Sequence, residues 1–522
     1  MRSALVIAVA VSLAPAFLSA PARAQSNYRL APVGGRTTLV GGTGLAYGRD
    51  SASAFLNPAT VVRVDPGRLS FSVNFYELSL FSSKSWYQPG PVDRARFGDL
   101  TTDAARVTTF GFDTLPGSLC VFLRVGELRF LSRTGRKELG ESQARLGLCL
   151  ASVQNQSFTL NREDYLQQNG SGGTRQAQAV SQSFRRIAIG PTYAMYVSNA
   201  LVLGASIHFS RAGYRSSFES TTTSTGPGSR SITSAFFNSA HGDSYDVNAT
   251  IGATYRIGRL QTVALVLEAP SLHAFGSGGL NHYTHYEGAG DATSTTTAQG
   301  SFAAYTPLRL GLGTGIHRSW GTAEVNVSYH LPLGSAYRAT LAGRGTDIDN
   351  GAVTDRDATL DLSRRGRGVV NIGVGGEIAV APYISVLAGV GTDLSTVKSG
   401  TLASDPMTYF PSNTNRLTSS FGVGSHGEGG ALLIGGELSY EWGDRLAVNS
   451  YQLPARFESV STQSFGLLLV VAGTTSYKNI TRAITDLGKA VDPTTGQPVP
   501  PKPVPPKPSP PRVAPQGADP GG

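Results

Sequence analysis

Leu201-Val202-Leu203-Gly204-Ala205-Ser206-Ile207-His208-Phe209-Ser210 is the stretch that decides the fold. Leu201, Leu203, Ala205, Ile207 and Phe209 fall on one side of an extended chain, and Gly204, Ser206, His208 and Ser210 on the other. A strand sends successive side chains to opposite faces, whereas a helix groups its apolar residues every three to four positions, so a period of two marks a sheet with one greasy and one wet face. The device recurs. Tyr245, Val247, Ala249, Ile251, Ala253 and Tyr255 alternate with Asp246, Asn248, Thr250 and Thr254. Ala323, Val325, Val327 and Tyr329 alternate with Thr322, Glu324, Asn326 and Ser328.

Extended outward, the pattern predicts strands at 69–80, 118–130, 143–153, 185–197, 201–216, 244–256, 261–271, 300–316, 322–332, 368–380, 383–394, 429–442, 446–453 and 460–473, fourteen in all. Short turns fall at Ser198-Asn199-Ala200, Gly258-Arg259, Ser319-Trp320-Gly321, Ala381-Pro382 and Gly443-Asp444. Long polar connections fill 81–117, 154–184, 217–243, 272–299, 333–367 and 395–428. An even-stranded barrel in a bacterial outer membrane has this asymmetry, with short periplasmic turns and long outer loops. The expected fold is therefore all-β: a 14-stranded antiparallel transmembrane β-barrel. Tyr196, Tyr255, Trp320, Tyr383 and Trp442 lie close to the short turns, where an interfacial aromatic girdle belongs.

Composition agrees. Of 522 residues 63 are glycine, 40% are hydrophobic and 15% charged, a balance that suits a sheet between lipid and water better than a soluble core. The chain opens with Arg2, an apolar run over residues 4–18 and the small-residue exit Ala22-Arg23-Ala24, so residues 1–24 read as a secretory signal peptide. Past Ala24 no stretch reaches the ~18 apolar residues of a membrane-spanning helix. Residues 25–68 form a glycine-rich segment ahead of the first strand, 69–477 the barrel, and 478–522 a short amphipathic helix and a Pro-rich tail of polyproline type. The net charge of +9 is not gathered into a basic helix or interleaved with aromatics, which argues against nucleic-acid binding. Cys120 and Cys149 flank a turn centred on Thr134-Gly135. In a regular hairpin they face each other and can form a disulfide under oxidising conditions; a slip of one residue leaves two unpaired thiols.

Catalytic and metal signals are weak. His273, His282 and His285 have no metal-ligand spacing, Gly42-x-Gly44 lacks the surroundings of a phosphate cradle, and no Gly-x-Ser-x-Gly elbow occurs. The reading is therefore no enzyme, no metal and no cofactor. Inward positions of the strands carry His208, Glu268, Glu324, His330, Glu377 and Glu437, expected to pair with arginines of the N-terminal segment such as Arg36 and Arg49. Pro191 interrupts the alternation of Ile187, Ile189, Tyr193 and Met195, removes a ladder donor and predicts a bulge or gap, a candidate seam for lateral exit.

Residues 41–59, running from Gly41-Gly42-Thr43-Gly44 through Ala46-Tyr47-Gly48-Arg49-Asp50-Ser51-Ala52 to Phe55-Leu56-Asn57-Pro58-Ala59, resemble the start of the FadL-type long-chain fatty-acid and hydrocarbon transporters of bacterial outer membranes. Asn57-Pro58-Ala59 matches the family motif directly, and Thr60 stands where the family often has glycine. The resemblance implies a monomer in the outer membrane whose N-terminal segment folds into the lumen as a plug or hatch. Phe55, Leu56, Asn57, Pro58 and Ala59 would form the hatch turn. It further implies passive, hatch-gated diffusion of hydrophobic molecules with lateral exit. Implied partners are outer-membrane lipids, a hydrophobic small-molecule substrate and the outer-membrane barrel assembly machinery. The competing readings are a structural or assembly barrel without transport and a porin for hydrophilic solutes.

Overall fold

The computed structural model describes residues 27, 33–65, 67–83, 107–125, 144–167, 173–225, 231–288, 290–397, 413–427, 430–449 and 456–476. The expected signal peptide, the Thr134-Gly135 turn and the helix and tail beyond 478 lie outside these residues. The wall begins with long strands: β1 (Arg68–Ser83), β2 (Val107–Arg124), β3 (Ala144–Gln167), β4 (Gly173–Tyr196), β5 (Leu201–Thr225) and β6 (Ile232–Ile257). Eight more follow: β7 (Gln261–Glu268), β8 (Leu272–Glu287), β9 (Ala292–Ala304), β10 (Arg309–Arg318), β11 (Gly321–His330), β12 (Leu333–Asp349), β13 (Ala352–Gly366) and β14 (Val369–Ala381). The last four are β15 (Ile384–Asp393), β16 (Asn413–Gly427), β17 (Gly430–Asn449) and β18 (Arg456–Ser476).

Register turns eighteen strands into fourteen wall positions. Strands β1 to β6 pair antiparallel in succession, as do β15 to β18, and β18 returns to β1 to close the ring. Toward the short turns, the span from β6 to β15 is filled by β7, β10, β11 and β14, paired in that order. Toward the long connections, β6 pairs instead with β8, then β9, β12 and β13 follow. Ten positions are thus single strands and four are composites of two. The closed ring is a 14-stranded antiparallel barrel, which leaves no exposed sheet edge around its short-turn half.

Exposure follows the alternation. Leu203, Ile207 and Phe209 are 43%, 58% and 43% exposed on the outside, while Ser206, His208 and Ser210 are 3%, 3% and 1% exposed within. Leu265, Leu312, Ile372, Phe421 and Ile434 continue the outward apolar belt, of the kind that meets lipid in a membrane barrel. No helix among the described residues is long and apolar enough to cross a membrane.

The four composites break at one level: residues 269–271, 305–308, 331–332 and 367–368. Pro270, Pro307 and Pro332 sit in three of these breaks, where a missing N–H and a fixed φ end a ladder. Ser271 N still donates to Thr306 O at 3.2 Å and Leu331 N to Leu308 O at 2.9 Å, so the wall bends there without parting. Past the bend, Phe184, Tyr214, Leu280, Phe302, Tyr337 and Leu341 pack into a buried apolar core of their own.

Several expectations need correction. Residues 395–428 are not one loop, because Asn413–Gly427 forms β16; its outward Leu417, Phe421 and Val423 were diluted by Thr, Ser and Gly between them. Gly443-Asp444 is no turn, since β17 runs through both and they pair with Thr414 and Asn413 on one side and Thr462 and Ser461 on the other. Tertiary pairing overrides the local turn preference. A missed strand and a split strand cancelled, which is why the expected number of fourteen agrees. Tyr196, Tyr255, Trp320 and Tyr383 do lie at short turns, but Trp442 is twelve residues along β17 from its start and stacks on Tyr440. Much of 154–184, 217–243, 272–299 and 333–367 is strand, hard to see as such because the outward face is polar and Ser, Thr, Gly and Asn dilute the inward apolar residues that form the core past the bend. At 26 residues β6 far exceeds the ~9–11 that span a bilayer, so the wall continues well beyond it.

Residues 33–65 lie within the ring and are mostly buried; Val33, Gly42, Leu56 and Arg63 are half-buried, and Arg49 and Asp65 are exposed. They form α1 (Gly35–Leu39), α2 (Ser53–Leu56) and a 3-10 turn at Pro58–Arg63. Wall glycines make room for them. Gly204 and Gly252 are register partners, and a Cβ would stand 2.4 Å from Ala59 N at the first and 1.9 Å from Asn57 Oδ1 at the second. Gly375 and Gly389, also partners, do the same for Val40, each 2.2 Å from its backbone. Placing a side chain at such a site overpacks it by about 1–3 kcal/mol. Gly252→Val is therefore expected to dislodge the segment while the barrel still folds: trypsin should cut at Arg36 in the variant and not in the parent. Equal resistance of the two would contradict the docking.

Candidate functional site

The N-terminal segment is held by its own polar groups before the wall touches it. Asp50 accepts from Thr37 N (2.9 Å), Thr37 Oγ1 (3.0 Å) and Ala52 N (3.2 Å). Asn57 donates Nδ2 to Leu45 O at 2.6 Å and accepts at Oδ1 from Ala59 N at 3.1 Å, capping the 3-10 turn that Pro58 begins. The motif Phe55–Ala59 thus fixes the path of the chain where it meets β5 and β6.

Wall residues then clamp the segment from several sides. Glu324 of β11 accepts from the backbone N–H groups of Gly44 (3.0 Å), Ala46 (2.7 Å) and Tyr47 (3.1 Å). Arg36 reaches Glu377 of β14 at 2.7 Å and Thr322 Oγ1 at 2.9 Å. Arg309 of β10 pairs with Glu268 at 2.7 Å and donates to Phe55 O and Leu56 O, each at 3.2 Å. Gly41 N donates to Ser420 Oγ at 3.0 Å. Hydrogen bonds to a buried charged group contribute about 1.5–3 kcal/mol each, so these contacts decide whether the segment stays.

Two cavities flank it. The one on the short-turn side, ≈ 430 Å³, is lined by Arg36, Arg49, Arg63, Glu377 and His426. Ser385 Oγ lies 2.8 Å from both Glu377 Oε1 and His426 Nε2, and that same ring nitrogen is 3.1 Å from Glu377. Acid and hydroxyl share one nitrogen, so the trio cannot relay a proton as a catalytic triad does. Burial lowers the pKa of Arg63. Arg63 lies over the Tyr47 ring at 4.5 Å.

The second cavity, ≈ 120 Å³, lies between the segment and the broken strands, beside Phe55, Arg186, His208, Glu268, Pro307 and Arg309. Phe55 stacks on His208 with centroids 4.4 Å apart, and Arg186 Nη2 donates to Ala304 O at 2.7 Å. Apolar side chains with a few convergent polar groups are what a small-molecule site consists of.

The residues singled out in the sequence are distributed as follows. Phe55–Ala59 meet the wall, Glu324 and Glu377 hold the segment, and His208, Glu268 and His330 line the second cavity. Glu437 accepts instead from Arg416 of the wall at 3.2 Å. The expected pairing holds for Arg36 but not for Arg49, which opens into the larger cavity and makes no ion pair among the described residues. Cys120 and Cys149 are register partners with their sulfurs bonded. Pro191 pairs with Leu148 of β3, but the β4–β5 ladder skips from Ile189↔Phe209 to Thr192↔Ser206 with its register kept, a gap and no bulge. His273 bonds Asp246 and Ser244, His285 bonds Thr293, and His282 lies edge-on to Phe236. Arg186 and Arg309 escaped the sequence reading. The signal was present: each precedes an outward apolar residue, Ile187 or Leu310, so each faces the lumen.

No family model and no curated protein matches the chain. Solved structures do. A FadL homologue from Pseudomonas aeruginosa aligns at 15% identity over 88% of this chain and 100% of its own, with a TM-score of 0.53. A TodX deletion mutant described as a monoaromatic hydrocarbon channel aligns at 12% identity over 85% and 99%, with a TM-score of 0.50. The chain has the FadL-type barrel fold. Within that fold the Glu324 clamp is open to test. Glu324→Ala should speed hydrogen exchange at Gly44, Ala46 and Tyr47 by about tenfold or more, as expected for loss of ~1.5–3 kcal/mol of local protection. Unchanged exchange would show that the carboxylate does not hold the segment.

Proposed function

We propose that this protein carries hydrophobic small molecules across the bacterial outer membrane by passive diffusion, with residues 33–65 as a movable hatch. The observation that carries the reading is the position of the ≈ 120 Å³ cavity, which abuts Phe55 and Leu56 of the hatch and His208 of the wall. A solute held there contacts the element that must move for it to pass. The FadL-type fold supports the same reading, as do the likeness to the TodX monoaromatic hydrocarbon channel and the outward apolar belt that would sit among outer-membrane lipids. A wide aqueous porin has no use for a bore packed with side chains.

Lateral exit fits beside Pro191. The β4–β5 ladder has no rung at Gly190 and Pro191, and the residue facing Gly190 is His208, which lines the cavity. Fewer ladder bonds there lower the cost of local opening. Barrel closure within one chain fits a monomer, and neither the cavity nor the fold calls for ATP, a metal or a catalytic group.

Cells lacking the gene are expected to take up labelled hydrocarbon or long-chain fatty acid slowly, with uptake restored by the parent chain. Pro191→Val, which completes the ladder, should restore it less. Full restoration by the variant would dispose of the Pro191 exit, and no difference between cells with and without the gene would dispose of the transport reading.

A further inference from the structure

The ≈ 120 Å³ cavity holds a charge without a counter-ion. Arg186 is 2% exposed, and its Nε and Nη1 have no hydrogen-bond partner among the described residues. Only Nη2 is hydrogen-bonded among the described residues, to the Ala304 carbonyl at the end of β9, and the guanidinium lies 5.7 Å from the Phe184 ring centroid, a contact with no negative charge. Glu268, the carboxylate among the lining residues, is committed to Arg309 at 2.7 Å. His208 Nε2 is likewise buried without a partner. Buried cations are normally paired or fully hydrogen-bonded, because taking a guanidinium out of water is costly. Ser210, Asn248 and Thr306, which share the cavity, satisfy one another instead: Ser210 Oγ to Asn248 Oδ1 at 2.9 Å and Asn248 Nδ2 to Thr306 Oγ1 at 2.8 Å.

The rest of the lining is greasy and small. Val33, Phe55, Leu56, Val153 and Ala188 contribute apolar surface. A cavity of about 150 Å³ accepts one benzene ring, and drug-sized ligands need roughly 300 Å³ or more, so ≈ 120 Å³ suits a single ring and not a long acyl chain. One unsatisfied guanidinium beside such a surface matches one negative charge on a compact apolar body.

We infer that this cavity binds a compact monocarboxylate, of the aromatic-acid type, with its carboxylate on Arg186 and its ring against Phe55 and Leu56. The inference rests on the transport reading and narrows its substrate class. A bare hydrocarbon leaves Arg186 unpaired; a long-chain acid satisfies the charge but exceeds the space.

The test is binding to the purified full chain in detergent, with benzoate, benzyl alcohol, toluene and oleate as probes. Benzoate should bind at least about tenfold tighter than benzyl alcohol, the worth of one charge-assisted hydrogen bond. Arg186→Gln should abolish that preference, and Arg186→Lys, which keeps the charge, should retain part of it. The benzoate and benzyl alcohol comparison on the parent chain stands even if a variant does not fold. Benzoate binding no tighter than benzyl alcohol, or unaffected by Arg186→Gln, overturns the inference. Toluene or oleate bound in the absence of benzoate binding overturns it alone, and binding of none of the four overturns the transport reading with it.

Discussion

A carboxylate at the inner face of β11 anchors the rest of the structure. Glu324 is 5% exposed and accepts from the N–H groups of Gly44, Ala46 and Tyr47 in the N-terminal segment, so both its charge and their donors are satisfied in one contact. A chain segment confined in a bore has no bulk water to hydrogen-bond its backbone, and any group left unpaired costs free energy. The wall meets that demand with Glu324, Glu377, Arg309 and Ser420, drawn from positions far apart in sequence. It meets the steric demand with paired glycines, whose missing Cβ atoms let Asn57-Pro58-Ala59 and Val40 lie directly on the sheet. Apolar contacts add to both: Phe55, Val61 and Val62 pack with Phe122, Ala188 and the two cysteines.

The wall changes character where the composites break. On one side the bore is filled by the hatch; on the other, inward side chains of β4, β5, β8, β9 and β12 pack on each other without it. The breaks supply the bend that lets one sheet serve both arrangements, and their prolines explain why it falls there. The smaller cavity lies at this boundary, between the hatch and residues 306–309. Its position follows from the change of packing partner, since neither filling reaches the corner between them.

How much of this was legible depends on which face of the sheet encodes it. The belt-level strands could be read because an apolar outer face and an inner face that meets the N-terminal segment impose alternation, as at Leu203, Ile207 and Phe209. The extensions could not, because β8, β12 and β13 have a polar outer face and only scattered inward apolar residues such as Leu280, Tyr337 and Leu341, too few to mark a period. Pro191 drew attention as a lone proline in a strong pattern, whereas Pro270 and Pro332 fall at the ends of expected strands and Pro307 inside the expected strand 300–316, where the structure breaks. Only register shows that those three line up across neighbouring positions. The sequence led us to expect inward carboxylates such as Glu377 to pair with arginines of the N-terminal segment such as Arg36, but which two meet spans 341 residues and needs the closed ring. Arg186 was hidden for a similar reason: its identity as an inward arginine is sequence information, its lack of a partner is not.

The central claim, that residues 33–65 close the bore and govern passage, is tested most directly by conductance in planar bilayers. The intact chain should show no steady ion current, and a chain lacking residues 33–65 should form an open channel. Equal steady conductance of the two proteins would contradict the account.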